Sequence, residues 1–247
     1  MQSGGSWFAI MDKAAFFAVH SGLDREGPGE PADVHWALSL IAPPARVLDA
    51  GCGPGADLET LAQALPAAQI TGIEKHPGFV SEARGRTAQF GERVRVSEGD
   101  MAKPGGPYDL IWCAGALYFL GVTAGLSGWK SALAPGAHVV FSEPVQLDPN
   151  NATAQTFWAE YPALQDHAGV RDQIAAAGYD VLGSRLIIGA PWERYYKSLQ
   201  ASIARLHVKG PTAPEQSAIE ICQQEIDLWR ACPDAIAYEL FLTQLKK

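Results

Sequence analysis

Residues 46–55, RVLDAGCGPG, constrain the fold of this chain more than any other segment. A short apolar run ends in Asp49 and passes directly into a turn with glycines at positions 51, 53 and 55. Glycine adopts positive φ without strain and carries no side chain, so such a turn can leave a strand sharply and bring its backbone close to a ligand. The segment therefore predicts a strand, a ligand-binding turn and a helix that begins near Ala56.

The residues around the turn restrict the ligand. Asp49 stands where its carboxylate would repel a phosphate group at short range. Pro54 removes one backbone N–H from the turn, and the sequence has no Lys or Arg between Val47 and Ala68. S-adenosylmethionine fits beside this acid, because it carries an ammonium and a sulfonium group and no phosphate. Because Gly51-x-Gly53-x-x-Ala56 also satisfies a loose nicotinamide fingerprint, an NAD-dependent oxidoreductase is the alternative.

Further segments follow in a fixed order: ITGIEKHP, the GDM of residues 99–101, YDLIWCAGALYFLG and LAPGAHVVFSEP. With VLDAGCGPG, they make residues 44–145 resemble the class I S-adenosylmethionine-dependent methyltransferases. The resemblance implies an α/β fold with a seven-stranded, mostly parallel Rossmann-like sheet whose last strand is antiparallel. It also implies S-adenosylmethionine as the cofactor, and it leaves the methyl acceptor open.

The candidate cofactor-binding residues follow the predicted strands. Glu74 ends the second strand, where its carboxylate can accept both ribose hydroxyls, unless it is only a solvated acid. By the resemblance, Asp100 accepts from the adenine amino group and Met101 packs on the ring, although Asp100 after Gly99 also suits an ordinary turn. A backbone carbonyl at the end of the fourth strand would hold the methionine ammonium. The full predicted set is Asp49, Ala50, Gly51, Cys52, Gly53, Glu74, Lys75, Asp100, Met101 and Cys113.

Methyl transfer needs alignment of the acceptor, the methyl carbon and the sulfur, and it needs a general base only when the acceptor must lose a proton. Glu143, at the end of the fifth strand, and Tyr118, after the fourth, are the candidate catalytic residues. Each can instead be structural. The predicted acceptor pocket consists of His20, Tyr118, Glu143, Trp192, Tyr195 and Tyr196.

The alternation of apolar runs with helical patterns from residue 45 onward predicts one α/β domain over residues 1–247. Residues 1–43 are predicted to form a helical arm and residues 44–145 the cofactor-binding core. Helical inserts are expected at 146–167 and 189–234; their aromatic stripes either pack them onto the domain or cap the acceptor. Gly27-Pro28-Gly29 suits a hinge that closes the arm over the cofactor, or an ordinary surface loop. The predicted strands are 46–49, 69–74, 94–98, 108–113, 137–143, 180–188 and 236–245.

Composition restricts the partners. Nineteen basic and twenty-seven acidic residues give a net charge of −8, which disfavours binding to nucleic acid or an anionic membrane. Family members that methylate base amines often carry a polar quartet after the fourth strand. This chain has Cys113-Ala114-Gly115-Ala116 there, which favours a small-molecule acceptor. The four cysteines have no paired spacing and the six histidines are scattered, so no metal site is expected. The interpretation is a cytoplasmic small-molecule methyltransferase; a cofactor-binding protein without turnover is a third possibility.

Overall fold

The protein is described here by a computed structural model that covers residues 12–161 and 163–246. Residues 1–11, the first part of the predicted arm, lie outside the described residues. The strands are Arg46–Ala50 (β1), Gln69–Glu74 (β2), Val94–Glu98 (β3), Tyr108–Cys113 (β4), Leu133–Gln146 (β5), Tyr179–Ile187 (β6) and Ile236–Leu245 (β7). The helices are Lys13–His20 (α1), Pro31–Ser39 (α2), Ala56–Ala64 (α3), Pro77–Thr87 (α4), Val122–Trp129 (α5), Ala152–Phe157 (α6), His167–Ala176 (α7), Ala190–Lys209 (α8) and Ala213–Ala231 (α9).

The strands form one seven-stranded sheet in the order β3-β2-β1-β4-β5-β7-β6. The first five strands are mutually parallel, and β7 runs antiparallel to both β5 and β6. This confirms the predicted fold. β5 is longer than expected at both ends, because its pairing with β4 begins at Leu133 and its pairing with β7 continues to Gln146.

Both faces of the sheet are covered, because successive strand residues point to opposite sides. Val47 and Leu110 belong to one buried cluster, and their neighbours Leu48 and Ile111 belong to the other. The first cluster contains apolar residues of α1 to α4, α6, α8 and α9, and the second those of α5 and α7. A parallel sheet needs this two-sided cover, which explains the near-continuous apolar runs in its central strands.

The arm is attached to the core by charged pairs. α1 packs against α8 and α9, and α2 packs against α3. In the connection between α1 and α2, Arg25 forms an ion pair with Asp57 at the start of α3. Asp24 pairs with Arg86 of α4 at 2.7 Å. The residues just before the possible hinge Gly27-Pro28-Gly29 are thus paired with α3 and α4.

The two long helices between β6 and β7 begin and end at residues suited to helix termini. Thr212 caps α9 reciprocally with Glu215, whose carboxylate accepts the Thr212 N–H at 2.7 Å. Pro191 and Pro214 occupy first-turn positions where no N–H is needed. In the described ranges, none of the helices is long and apolar enough to cross a membrane.

Candidate functional site

The glycine turn after β1 is fixed by its backbone. Gly51 and Cys52 donate their N–H groups to the Ile73 carbonyl at 2.8 and 3.1 Å, which joins the turn to the end of β2. The glycines at 51, 53 and 55 have φ of +76°, +52° and +93°. A Cβ at Gly51 would lie 2.8 Å from Cβ of Ala116, and one at Gly55 would lie 2.9 Å from Cα of Ala83. Backbone conformation and space both require glycine at these two positions.

Asp49, near the end of β1, has one buried carboxyl oxygen without a partner in the described chain. Its side chain is 2% exposed, and Oδ2 has no hydrogen-bond partner among the described residues. Burial raises the pKa of Asp49 well above its usual value; Asp57 and Glu74 raise it further, and Arg25 lowers it. Buried polar atoms without partners are rare in folded proteins and are often completed by a ligand or water. A cationic group beside Asp49 would complete its hydrogen bonds and favour its charged form.

Glu74 is held at the other side of the turn. Its Oε2 accepts the Gly53 N–H at 3.1 Å, and its Oε1 accepts the His76 N–H at 2.7 Å. A carboxylate accepts up to about four hydrogen bonds, so each oxygen retains a lone pair for a hydroxyl. Lys75 is exposed. The carboxylate is therefore oriented by the same turn that covers Asp49.

The segment after β3 reaches the turn through Met101. The Met101 sulfur lies 3.4 Å from the position of a Cβ at Gly51, and the Met101 carbonyl accepts the Trp129 indole N–H at 2.7 Å. Asp100 is exposed and accepts the Ala102 N–H at 2.9 Å, which is the turn arrangement that the sequence offered as the alternative. An exposed carboxylate with this bond retains acceptor capacity, so its role toward adenine stays a prediction.

The cysteines near the turn are buried thiols. Burial, followed by the charge of Asp49, raises the pKa of both Cys52 and Cys113 well above the ordinary range. A protonated thiol is a poor nucleophile, so these side chains pack. Beyond Cys113 the loop is held by Ser142 of β5, whose hydroxyl accepts the Gly115 N–H at 2.8 Å. Sequence reasoning missed Ser142, since nothing in its segment marks a side chain that orients a neighbouring loop.

The arm places Glu26 over the turn. Cγ of Glu26 lies 3.7 Å from the position of a Cβ at Gly53, and its Oε2 pairs with Nδ1 of His20 at 2.8 Å. Within residues 12–161 and 163–246, Oε1 of Glu26 is buried and has no hydrogen-bond partner. Burial raises the pKa of Glu26, and the bond to His20 opposes this. The sequence marks His20 and Gly27-Pro28-Gly29 in this segment but not Glu26, because only the folded arm brings Glu26 to the turn.

Glu143 lies within β5, and Tyr118 lies in the segment that follows β4. Burial raises the pKa of Glu143 to about 8, and its Oε2 is buried without a partner in the part of the chain that the structure describes. The ring of Tyr118 lies 5.5 Å from that of Tyr161. Burial raises the pKa of Tyr118 well above its usual value, and Tyr161 and the charge of Glu143 raise it further. The two candidate catalytic residues are thus electrostatic neighbours.

The remaining predicted pocket residues differ in their surroundings. Trp192 is 2% exposed and donates its indole N–H to the Ile187 carbonyl at 2.9 Å, which satisfies its one polar atom. The hydroxyl of Tyr196 donates to Oε1 of Glu225 at 2.9 Å. The ring of Tyr195 lies 5.0 Å from that of Tyr196. Glu225, on the inner face of α9, is a residue that the sequence gave no reason to select.

Comparison with known proteins defines the class. A family model described as a methyltransferase domain matches residues 48–139. A trans-aconitate 2-methyltransferase of Paracidovorax citrulli is 30% identical over 186 residues, which cover 71% of this chain and 70% of that protein. A trans-aconitate 2-methyltransferase of Streptomyces avermitilis is 36% identical over 111 residues, which cover 42% of this chain and 41% of that protein. This chain therefore spans about two fifths of the length of that relative.

Solved structures share the whole architecture. An S-adenosylmethionine-dependent methyltransferase from Geobacter sulfurreducens, in complex with S-adenosyl-L-homocysteine, has a TM-score of 0.83 at 21% identity and covers 96% of this chain and 100% of its own. One from Thiobacillus denitrificans gives the same TM-score at 22% identity, with the same coverage of both chains. The chain belongs to the class I S-adenosylmethionine-dependent methyltransferases. This confirms the predicted family and cofactor, and it sets aside the NAD-dependent alternative.

Proposed function

We propose that this protein transfers a methyl group from S-adenosylmethionine to a small organic molecule. The observation that carries the proposal is the pair of carboxyl groups around one glycine turn. Asp49 is buried without a partner on Oδ2, and Glu74 is held by the N–H groups of Gly53 and His76. A ligand with an ammonium group and a ribose diol satisfies both. Met101, beside the turn, offers an apolar surface for the adenine.

The bound cofactor supplies a methyl group that is already activated by a positively charged sulfur. The chain's own residues therefore have to position the acceptor and exclude water. Glu26 of the arm lies against Gly53, and Ala116 lies against Gly51. Glu143 is the group best placed to hold a proton from the acceptor, because it is buried and its Oε2 has no other partner in the described chain.

Several observations favour a small molecule over a macromolecule. The net charge of −8 opposes binding to a nucleic-acid backbone. All four cysteines are free thiols, which suits a reducing compartment, and we propose that the protein acts in the cytoplasm. The relatives act on trans-aconitate according to their names, so this tricarboxylate is the first acceptor to test.

Calorimetric titration with S-adenosylmethionine and S-adenosylhomocysteine tests the cofactor site. We expect micromolar binding of both and no binding of NAD. A folded protein that binds neither sulfur compound would exclude the proposal. Incubation with a radiolabelled methyl donor and an acceptor panel then tests turnover; binding without turnover for any acceptor would favour a cofactor-binding protein that is not an enzyme.

A further inference from the structure

We propose that Glu26 is a further cofactor-binding residue, and that its Oε1 accepts a hydrogen bond from the ribose of the bound cofactor. This inference rests on the proposed function and deepens it. Asp24, Arg25 and Glu26, three consecutive residues of the arm, are called the strap below.

The first two residues of the strap are attached to the helices that follow β1 and β2. Asp24 pairs with Arg86 of α4 at 2.7 Å. Nε of Arg86 also donates to the Pro54 carbonyl at 3.1 Å, so this pair is connected to the glycine turn. Arg25 pairs with Asp57 in the first turn of α3. The backbone that leads to Glu26 is therefore held beside the turn by two ion pairs.

Glu26 itself has one oxygen that is bonded and one that is left over. Its Cγ lies 3.7 Å from the position of a Cβ at Gly53. Its Oε2 pairs with Nδ1 of His20 at 2.8 Å, and the buried His20 ring is stacked on Phe16 with 4.0 Å between the centroids. Its Oε1 is buried and has no hydrogen-bond partner within residues 12–161 and 163–246. Because a buried oxygen without a partner is costly, a ligand group that donates to this atom would be stabilising.

The position of Glu26 beside Gly53 points to the ribose. Gly53 donates its N–H to Oε2 of Glu74 at 3.1 Å. Glu74 is the carboxylate to which the proposed function assigns the ribose hydroxyls. Glu26 therefore lies beside a residue that orients the ribose-binding carboxylate.

The arm also packs on the second residue that orients Glu74. The ring of Phe17 in α1 is stacked on that of His76, with 3.4 Å between the centroids and 15° between the planes. The His76 N–H donates to Oε1 of Glu74 at 2.7 Å. Glu26 and Phe17 thus bring the arm to both N–H donors of Glu74, which places the arm at the ribose end of the cofactor site.

The chemistry of the ribose matches the free oxygen of Glu26. An ionised carboxylate only accepts hydrogen bonds, so the group that completes Oε1 has to be a donor. A hydroxyl donates one hydrogen, and its hydrogen bond to a charged acceptor is stronger than one to a neutral acceptor. Because the ribose has two hydroxyls, it can donate to Glu74 and to Glu26 at the same time.

Calorimetric titration of the full chain with ribose-modified ligands tests this contact. Methylthioadenosine keeps the adenosine of the cofactor and lacks the amino-acid end, and its two deoxy analogues each lack one ribose hydroxyl. We expect Glu26→Ala to weaken the binding of S-adenosylhomocysteine and of methylthioadenosine by a similar factor of about 10. For the deoxy analogue that lacks the contacted hydroxyl, we expect the unmodified protein and the variant to bind equally.

Matched variants separate binding from folding. Glu26→Gln keeps the size of the side chain and a neutral acceptor oxygen, so it should show a smaller loss with the same dependence on the ligand. Glu30→Ala is the control, because Glu30 is an acid of the same arm that pairs with Arg185 and Arg194 instead; it should leave the affinities unchanged. His20→Phe keeps an aromatic ring but cannot hold Oε2 of Glu26, so it should weaken the binding of the same ligands to a lesser degree.

Three results would overturn the inference. Unchanged affinity in both Glu26 variants would remove Glu26 from the site, and a loss confined to S-adenosylhomocysteine would assign it to the amino-acid end. An equal loss for methylthioadenosine and both deoxy analogues would make its effect structural. If Glu26→Ala does not fold, the same comparison is made with Glu26→Gln. If the unmodified protein binds neither S-adenosylhomocysteine nor methylthioadenosine, the proposed function itself fails.

Discussion

At the scale of single residues, Asp49 has the most consequences. A carboxyl group that is buried, without a partner on one oxygen, destabilises the fold whenever it is ionised. The pKa of Asp49 is raised in the folded state, so folding favours its protonated form. Stability is therefore lost as the pH rises from the unfolded pKa toward the folded one. The buried oxygen of Asp49 without a partner also suits the binding of a cation.

Asp49→Asn should have opposite effects on stability and on binding. The amide cannot ionise, so we expect the free variant to melt at a higher temperature than the unmodified protein at pH 7. We also expect weaker binding of S-adenosylhomocysteine, because the negative partner of its ammonium is lost. Thermal unfolding and calorimetry measure the two effects; a variant that is less stable and binds normally would refute this account.

The affinity should also depend on pH through Asp49. A cation lowers the pKa of Asp49, so binding displaces its proton and affinity rises with pH as this group ionises. Calorimetry in buffers of different ionisation enthalpy counts the released protons. Asp49→Asn should release fewer, and equal release by both proteins would exclude this coupling.

Glu74→Ala tests the ribose contact. If both hydroxyls donate to this carboxylate, its removal should weaken cofactor binding by about 1.5 to 3 kcal/mol. Glu92→Ala is the control, because Glu92 is an exposed acid whose ion pair is with Arg95. Unchanged calorimetric affinity in Glu74→Ala would remove Glu74 from the site.

At the scale of elements, the contact between the turn and α4 decides how closely β1, α3 and α4 pack. Gly55 has φ of +93°, and a Cβ there would lie 2.9 Å from the Ala83 backbone. The backbone of α4 cannot move away without disturbing the turn. This is why an alanine at this position conflicts with both conformation and packing.

Gly55→Ala should lower the free energy of unfolding by about 3 kcal/mol, the sum of about 1 to 2 for the left-handed backbone and a similar amount for overlap. Gly136→Ala is the matched control: its φ is +77°, with nothing within 4 Å of the added carbon. Urea unfolding should show a smaller loss of unfolding free energy in Gly136→Ala than in Gly55→Ala. Equal losses in the two variants would mean that the α4 contact contributes nothing.

An ion pair with a buried partner joins the arm to α3. Asp57 is 8% exposed and also accepts the Trp112 indole N–H at 2.9 Å. Arg25→Met would leave the Asp57 charge without its cation and should cost about 3 kcal/mol of unfolding free energy. Arg95→Met, which breaks an exposed pair, should cost less than about 1 kcal/mol. Urea denaturation of both variants checks this, and a similar small loss in each would show that Arg25 does not hold the arm.

At the scale of the whole molecule, cofactor binding and folding are linked. Saturation at about 100 times the dissociation constant adds about 2.7 kcal/mol of stability. For a chain of 247 residues this corresponds to a rise in melting temperature on the order of 5 to 10 °C. S-adenosylhomocysteine should produce this rise and NAD should not. A rise in melting temperature with NAD alone would support the NAD-dependent oxidoreductase instead.

The fold was predictable because its determinants are local. The pattern at residues 46–55 and the alternation of strands and helices predicted a sheet of seven strands, and the observed sheet has seven. The limits of β5 were not predictable, since they depend on pairing with β4 at one end and with β7, which is distant along the chain, at the other. The roles of Glu26, Ser142 and Glu225 could not be predicted for the same reason, because each acts through a contact that only folding creates.

The family, the cofactor and the glycine turn can be inferred from the residues alone, because the glycine positions and the order of the motifs are read directly along the chain. The state of the carboxyl groups is set only when the chain is folded. Asp49, Glu26 and Glu143 each have a buried oxygen without a partner in the described chain, whereas Glu74 is bound by two N–H groups. Whether an acid is charged, paired or available depends on burial by residues far away in the sequence, and that burial exists only in the folded protein.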